Sequence, residues 1–235
     1  MVAHPQLKLL YFPLEGRGEP IRLLCAVGAL KLEEEVISFA EWPQKKEAVG
    51  HFNQLPILKI DGKHEIPQMV AICRYVAKLA KLMGKDAIED AKIDALVDGL
   101  MEVYAEFTKI AVPIIMNSDV EDFKKLLVAR LGDKAKSFEN NKASIAAGFK
   151  ELWDAQLKGK LDRYEKILAE NPSGWLVGDK MTWADVFLAE GMHRLCTLVE
   201  KSALDHHPRV KALMDRVYSL PAALAYCKQK PKRIL

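Results

Sequence analysis

The sequence predicts a small α/β domain, residues 1–83, followed by an all-helical domain, residues 84–235. Two observations carry this division. The first eighty residues read in the order β-α-β-loop-β-β-α, with a proline heading the third strand. Beyond Gly84 nothing reads as strand, and apolar residues recur at spacings of three and four, as one face of a helix requires. A third observation sets the class: half of the 235 residues are hydrophobic and 29% are charged, a globular composition that excludes a disordered or collagen-like chain.

Each element follows from its residues. Residues 7–12 form a short apolar strand, and a Gly-Arg-Gly-Glu-Pro turn follows at 16–20. Ile21, Leu24, Cys25 and Gly28 repeat at helical spacing, with Pro20 in the first turn, where its missing N–H costs nothing. The β-branched and aromatic run 36–39 reads as the second strand, and a loop through Trp42 and Pro43 leads to a third at 55–60. Asp61-Gly62 marks a hairpin, and Ile66 lies on the returning strand. From Gln68 the pattern is helical through Tyr75, Leu79 and Leu82 and stops at Gly84. In the second domain, Ile93, Leu96, Leu100, Val103 and Phe107 mark a long helix, and residues 123–131 a shorter one. The span from Phe149 to Leu168 marks another long helix, ended by Asn171-Pro172-Ser173-Gly174. Thr182-Trp183-Ala184-Asp185 opens the next as a capping-box variant with Asp in place of Glu, and Pro208 and Pro221 each open one more.

The net charge of +3 is too small to argue for nucleic acid or an anionic membrane. No apolar run reaches the ~18 residues of a membrane span, and the first residues show no secretory signal, so a cytoplasmic protein is expected. Cys25, Cys73, Cys196 and Cys227 form no C-x-x-C, which removes zinc-knuckle and dithiol chemistry; no metal site is expected, and all four cysteines read as small buried hydrophobes.

Leu10-Tyr11-Phe12 followed by Gly16-Arg17-Gly18-Glu19, Trp42-Pro43 with Lys46, Asn53-Gln54-Leu55-Pro56, and Gln68 ahead of Ala71-Ile72-Cys73-Arg74-Tyr75 occur in that order. With Trp175-Leu176-Val177-Gly178 and Met181-Thr182-Trp183-Ala184-Asp185, they resemble nearly end to end the cytosolic glutathione transferases of the sigma class, which includes the haematopoietic prostaglandin D synthases. The resemblance implies a thioredoxin-like first domain that binds glutathione and a helical second domain that binds a hydrophobic electrophile. It also implies a two-fold homodimer.

The chemistry asked of such a site has a definite size. A free thiol with a pKa near 8.5 is only about 3% thiolate at pH 7, and the thiolate is the nucleophile. Lowering that pKa by about two units takes roughly 2.7 kcal/mol. One hydrogen bond to a charged group supplies about 1.5–3 kcal/mol, so a single hydroxyl suffices. The resemblance assigns that hydroxyl to Tyr11 and places the Arg17 cation beside it. Read locally, without the resemblance, Tyr11 is a strand-end ring turned into the core, and Arg17 a solvated cation at a helix start.

For glutathione itself, the resemblance implies contacts from Tyr11, Phe12, Arg17, Trp42, Lys46, Asn53, Gln54, Leu55, Pro56, Gln68 and Met69. Leu55 would pair its backbone with the cysteinyl unit before a cis Pro56, and Trp42 and Lys46 would hold the glycyl end. Glu102 would reach the partner subunit's site, and Tyr104 and Ala105 would wall the electrophile.

Three departures bear on function. Met69 stands where the family has a serine that grips the γ-glutamyl carboxylate at a helix N-terminus, which predicts glutathione binding weakened roughly ten- to hundred-fold. At the helix positions of the isomerases' carboxylate cluster stand Asp98, Met101 and Glu102, and Lys109 replaces their pocket tryptophan, so prostaglandin D synthesis is not the leading expectation. Residues 117–148 are longer than usual, as in the weakly active lens S-crystallins. The expected activity is transfer of the glutathione thiolate to hydrophobic electrophiles. The alternatives are an S-crystallin-like structural or binding homologue and a glutathione-dependent prostaglandin isomerase. Dithiol oxidoreduction is opposed by a tyrosine standing where a redox cysteine would lie.

Overall fold

A computed structural model describes residues 4–116, 157–198, 201–231 and 233, the side chains of 103, 105–116 and 198 excepted. The helix expected at 123–131 and the long segment 117–148 lie outside the described residues.

Strand β1 (Leu7–Tyr11) is apolar on both faces, with Leu7, Leu9, Leu10 and Tyr11 all buried, because it runs through the middle of a four-stranded sheet of order β2-β1-β3-β4. It pairs parallel to β2 (Leu32–Val36) and antiparallel to β3 (Ile57–Ile60), which turns through Asp61-Gly62 into β4 (His64–Pro67). Helix α1 (Glu19–Val27) makes the parallel crossover, with Pro20 in its first turn. A short helix α2 (Trp42–Lys45) and a 3₁₀ turn follow β2, and α3 (Met69–Leu79) follows β4.

The second strand differs from expectation. It is Leu-Glu-Glu-Glu-Val rather than residues 36–39, where Ile37 and Phe39 are buried but outside the ladder. A run of three glutamates reads as loop, yet an edge strand buries little of itself. β1 supplies the pairing, and Glu34 is met by Arg22 Nε at 2.8 Å and Arg233 Nη2 at 2.5 Å. The third strand is likewise shorter than expected, and α3 ends three residues before Leu82, which is buried beyond it.

The later elements are helices: α4 (Ala87–Met116), α5 (Lys158–Glu170), α6 (Trp183–Leu198), α7 (Pro208–Tyr218) and α8 (Pro221–Gln229). Ile93 and Leu100 are buried along α4 as expected, but Val97 and Tyr104 complete the buried face, Leu96 is only half-buried, and the side chains of Val103 and Phe107 lie outside the described residues. Leu157, Leu161, Tyr164 and Leu168 are buried along α5 or just before it, as the periodicity requires. The start of α6 shows the carboxylate half of a capping box, without the bond from the Asp185 N–H to the Thr182 hydroxyl. Asp185 accepts from Thr182 N at 2.7 Å, Thr182 Oγ1 at 2.9 Å and Leu176 N at 2.8 Å, while Asp185 N donates to Thr182 O. Among the described residues no helix is long and apolar enough to cross a membrane.

By contact density the chain forms two units, Met1–Val97 with Glu165–Leu235, and Asp98–Tyr164. The first contains the sheet together with α6, α7 and α8. In it α1 packs on α3, α6 and α8, so C-terminal helices cover the helix that starts beside the β1 turn.

Candidate functional site

The end of β1 is where the expected residues gather. Tyr11 is its last residue and only 6% exposed. The chain then turns back so that the peptide N–H of Arg17 donates to Tyr11 Oη at 2.8 Å. This return is possible because two glycines flank Arg17. Gly16 has φ +36°, and a Cβ on it would stand 2.7 Å from Tyr11 Oη; a Cβ on Gly18 would stand 2.7 Å from Tyr11 Cδ1. The hydroxyl therefore accepts one bond, and its own proton meets no acceptor among the described residues.

Burial pushes the Tyr11 phenol up from its ordinary value. Opposing that rise are the Arg17 N–H and then the cations of Arg194, Arg17 and Arg22. The Arg17 side chain is exposed, and its closest recorded link to Tyr11 is the main-chain bond, so the residue acts here through its backbone as well as its charge. Arg22 Cζ lies 5.8 Å from the Tyr11 ring centroid, and Arg22 Nη1 donates to Leu14 O at 2.9 Å and Glu15 O at 3.3 Å. Arg194 Nη2 donates to Gly16 O at 2.8 Å. Lys230 Nζ pairs with Glu15 at 2.5 Å and Glu19 at 2.9 Å, and Tyr226 Oη donates to Glu19 at 2.8 Å. These cations hold Glu19 below the ordinary carboxylate range although burial works against them.

None of Arg22, Arg194, Lys230 or Tyr226 was singled out from the sequence. Arg194 and Lys230 lie far along the chain in helical stretches where a basic residue reads as surface. The available signal was local for Arg22, which follows Glu19 by three residues at ion-pairing distance on a helix.

The other expected residues divide. Phe12 stacks on Phe39, with centroids 4.9 Å apart, and meets Trp42 edge-on at 5.4 Å, so Trp42 is 8% exposed within an aromatic cluster beside β1. Lys46 and Gln54 are exposed. Asn53 has φ +50° and its amide donates to Glu47 at 2.9 Å. The Leu55–Pro56 bond is cis, and Leu55 stands before β3, outside the ladder. Gln68 is the N-cap of α3 with φ +74°, and its side chain makes no capping bond to the first N–H groups of that helix. Met69 is 3% exposed, its thioether packed inward.

In the other unit, Glu102 is largely exposed and paired with Lys160 Nζ at 2.9 Å, and Tyr104 is buried. The side chains of Ala105 and Lys109 lie outside the described residues. No group of three or more metal-ligating side chains occurs among the described residues. All four cysteines are free; Cys25 and Cys73 are buried, whereas Cys196 and Cys227 are only half-buried. Burial pushes the Cys25 thiol up to about 12, which makes it inert as a nucleophile at neutral pH.

A family model of the glutathione S-transferase C-terminal domain matches residues 134–230. The probable glutathione S-transferase gst-36 of Caenorhabditis elegans is 31% identical over 227 residues, covering 96% of this chain and 97% of that protein. The chain belongs to the glutathione S-transferase family. The hematopoietic prostaglandin D synthase of Gallus gallus is equally similar, 31% identical over 228 residues with 97% of this chain and 98% of that protein covered. The solved structure of NaGST-2 superposes with a TM-score of 0.78 at 30% identity, over 97% of this chain and 98% of that one. As a glutathione S-transferase, the chain uses glutathione as its co-substrate. The four-stranded mixed sheet is the thioredoxin-like part of that fold, and the later helices are its helical part.

Proposed function

We propose that Tyr11 activates glutathione in this transferase by donating its phenolic O–H as a hydrogen bond to the sulfur, which stabilises the thiolate left when the thiol proton passes to water, and that this thiolate adds to a hydrophobic electrophile. One observation carries the assignment: the Tyr11 hydroxyl is held as an acceptor by the Arg17 N–H, so its proton is left for a ligand. A phenol already accepting one hydrogen bond donates a stronger one. Leu55, outside the ladder ahead of β3, and the N-terminus of α3 support a tripeptide site alongside, with Leu55 offering its backbone to the cysteinyl unit and the Gln68–Met69 segment receiving the γ-glutamyl carboxylate. Trp42 and Lys46 complete it at the glycyl end in this reading, and residues 1–83 and 84–235 act as its glutathione and electrophile domains. A sigma-class, cytoplasmic homodimer belongs to the same proposal, although a hookworm relative from Necator americanus, 27% identical with a TM-score of 0.73, is described as monomeric.

The test is Tyr11→Phe, with bound glutathione titrated by the ultraviolet absorbance of its thiolate. The thiol pKa is expected to rise by one to two pH units, about 1.4–2.7 kcal/mol. An unchanged thiol pKa removes Tyr11 from the mechanism.

A second reading, a binding or structural homologue of low activity, is favoured by Met69, whose buried thioether gives no hydroxyl to the γ-glutamyl group. Calorimetry separates the two: no detectable heat at millimolar glutathione favours the structural homologue. Prostaglandin isomerisation, the activity in the name of the chicken relative, is opposed by Met101, which interrupts the acidic set of Asp98 and Glu102.

A further inference from the structure

The peptide unit joining Gly16 to Arg17 is held at both ends. Its N–H donates to Tyr11 Oη at 2.8 Å, and its C=O accepts from Arg194 Nη2 at 2.8 Å. The left-handed Gly16 fixes the plane of this peptide, and no residue with a Cβ could stand there without striking the phenol. Arg194 belongs to α6, is 5% exposed and is anchored by Glu190 one turn earlier, through Nε at 3.0 Å and a close Nη2 contact. A buried cation, an amide and a phenol thus stand in series, and the last of them faces the reaction.

We propose that Arg194 is a positioning residue for thiol activation: its guanidinium holds and polarises the Gly16–Arg17 peptide, so that the Arg17 N–H makes Tyr11 a stronger hydrogen-bond donor to glutathione. This rests on the reading of Tyr11 as the thiolate's partner. An amide whose carbonyl accepts from a cation is a better donor at its nitrogen, because hydrogen bonds in a chain polarise one another, by ~10–30% per bond. Charge-assisted bonds are about twice as strong as neutral ones, so Arg194 polarises the peptide more than a neutral donor would. The electrostatics agree in direction, since among nearby cations Arg194 does most to offset the burial that disfavours the Tyr11 phenolate. No proton travels along the series; Arg194 stays charged, the amide keeps its hydrogen, and Tyr11 shares its own with the sulfur. The groups that share Arg194's electrostatic surroundings include Tyr11 at the end of β1, Glu190 and His193 on its own helix, Tyr218 on α7, Glu15 and Glu19 before and at the start of α1, and Cys227 and Lys230 in and just after α8.

The experiment reads the thiol pKa of bound glutathione in Arg194→Lys, Arg194→Met and Glu190→Met/Arg194→Met, each with Tyr11 present and in a Tyr11→Phe background. The paired variant guards the fold, because it removes both buried charges instead of leaving Glu190 alone. The Met variants are expected to raise the thiol pKa by ~0.5, about threefold less thiolate at pH 7. Arg194→Lys is expected to restore most of that, and no variant to move the pKa further once Tyr11 is Phe. A pKa unmoved in the paired variant, or moved equally without the Tyr11 hydroxyl, overturns the proposal. Should Tyr11→Phe alone leave the thiol unchanged, it is the Tyr11 reading that fails. The Arg17 amide proton shift, measured by NMR without glutathione, then decides the polarisation: an upfield move in the paired variant supports it, and an unmoved resonance rejects it.

Discussion

Replacing Asp185 with alanine is expected to cost this protein about 3–5 kcal/mol at pH 7. The carboxylate is fully buried and receives two backbone N–H groups, Leu176 and Thr182, besides the Thr182 hydroxyl. Alanine leaves both N–H groups buried without an acceptor, at about 1–3 kcal/mol each, and leaves the Thr182 hydroxyl without its carboxylate partner, at about 1 kcal/mol more. For a chain of this size each kcal/mol lowers the midpoint by about 2–4 °C, so thermal unfolding followed by circular dichroism should shift by roughly 10 °C. The pH dependence is the sharper check. Burial, opposed by those three donors, raises the Asp185 pKa from 3.8 to about 6. Between these values the unfolded chain has released a proton that the folded chain keeps, so native stability falls as pH rises from about 4 to about 6, by roughly 3 kcal/mol from this group. Alanine has no such slope. The gap between the native protein and Asp185→Ala should therefore widen as pH is lowered from 7 towards 4. A midpoint shift under 3 °C at pH 7 refutes the hydrogen-bond argument, and a gap that narrows on acidification refutes the claim that burial outweighs the three donors.

Gly16→Ala is expected to reduce kcat/KM for glutathione conjugation at least tenfold while the far-ultraviolet spectrum stays native, because the new methyl group would stand 2.7 Å from Tyr11 Oη and the loop must shift. Met69→Ser should tighten glutathione binding about tenfold by calorimetry and at the same time lower the melting temperature, since a buried thioether is traded for a hydroxyl. Lys230→Met should destabilise the protein at neutral pH by about 1–3 kcal/mol in urea unfolding. Glu19 has its carboxyl held below the ordinary range, so the stability it contributes is present above pH 4.5 and is lost as pH falls through its folded value. The effect of Lys230→Met should accordingly shrink in acid, and a constant effect down to pH 3 would remove Lys230 from that pairing.

How much of the site could be read from residues depended on range. The strand-end tyrosine, the glycine pair, the residue before the strand-opening proline and the helix start at Gln68 are each defined within a few positions, and the structure has them at the end of β1, the 16–18 turn, the cis bond and the N-cap of α3. The Thr182–Asp185 box was legible for the same reason, its partners being three residues apart. The second strand was misplaced because local propensity favours Val, Ile and Phe, whereas the strand that forms is chosen by pairing with β1 and by two arginines that meet Glu34.

From its own order of residues the chain determines where the helices and the first strand run, where glycine must stand, and which tyrosine ends that strand, since backbone sterics and apolar periodicity act over one or two turns. Only the tertiary structure decides how acidic that tyrosine is and what aims it. Arg194, 178 residues from Gly16, reaches the loop only when α6 packs on α1, and Lys230 meets Glu15 and Glu19 only when α8 does the same. Such pairings follow from burial of helix faces, in which the cation at the contact is one polar residue among many until the fold removes it from water.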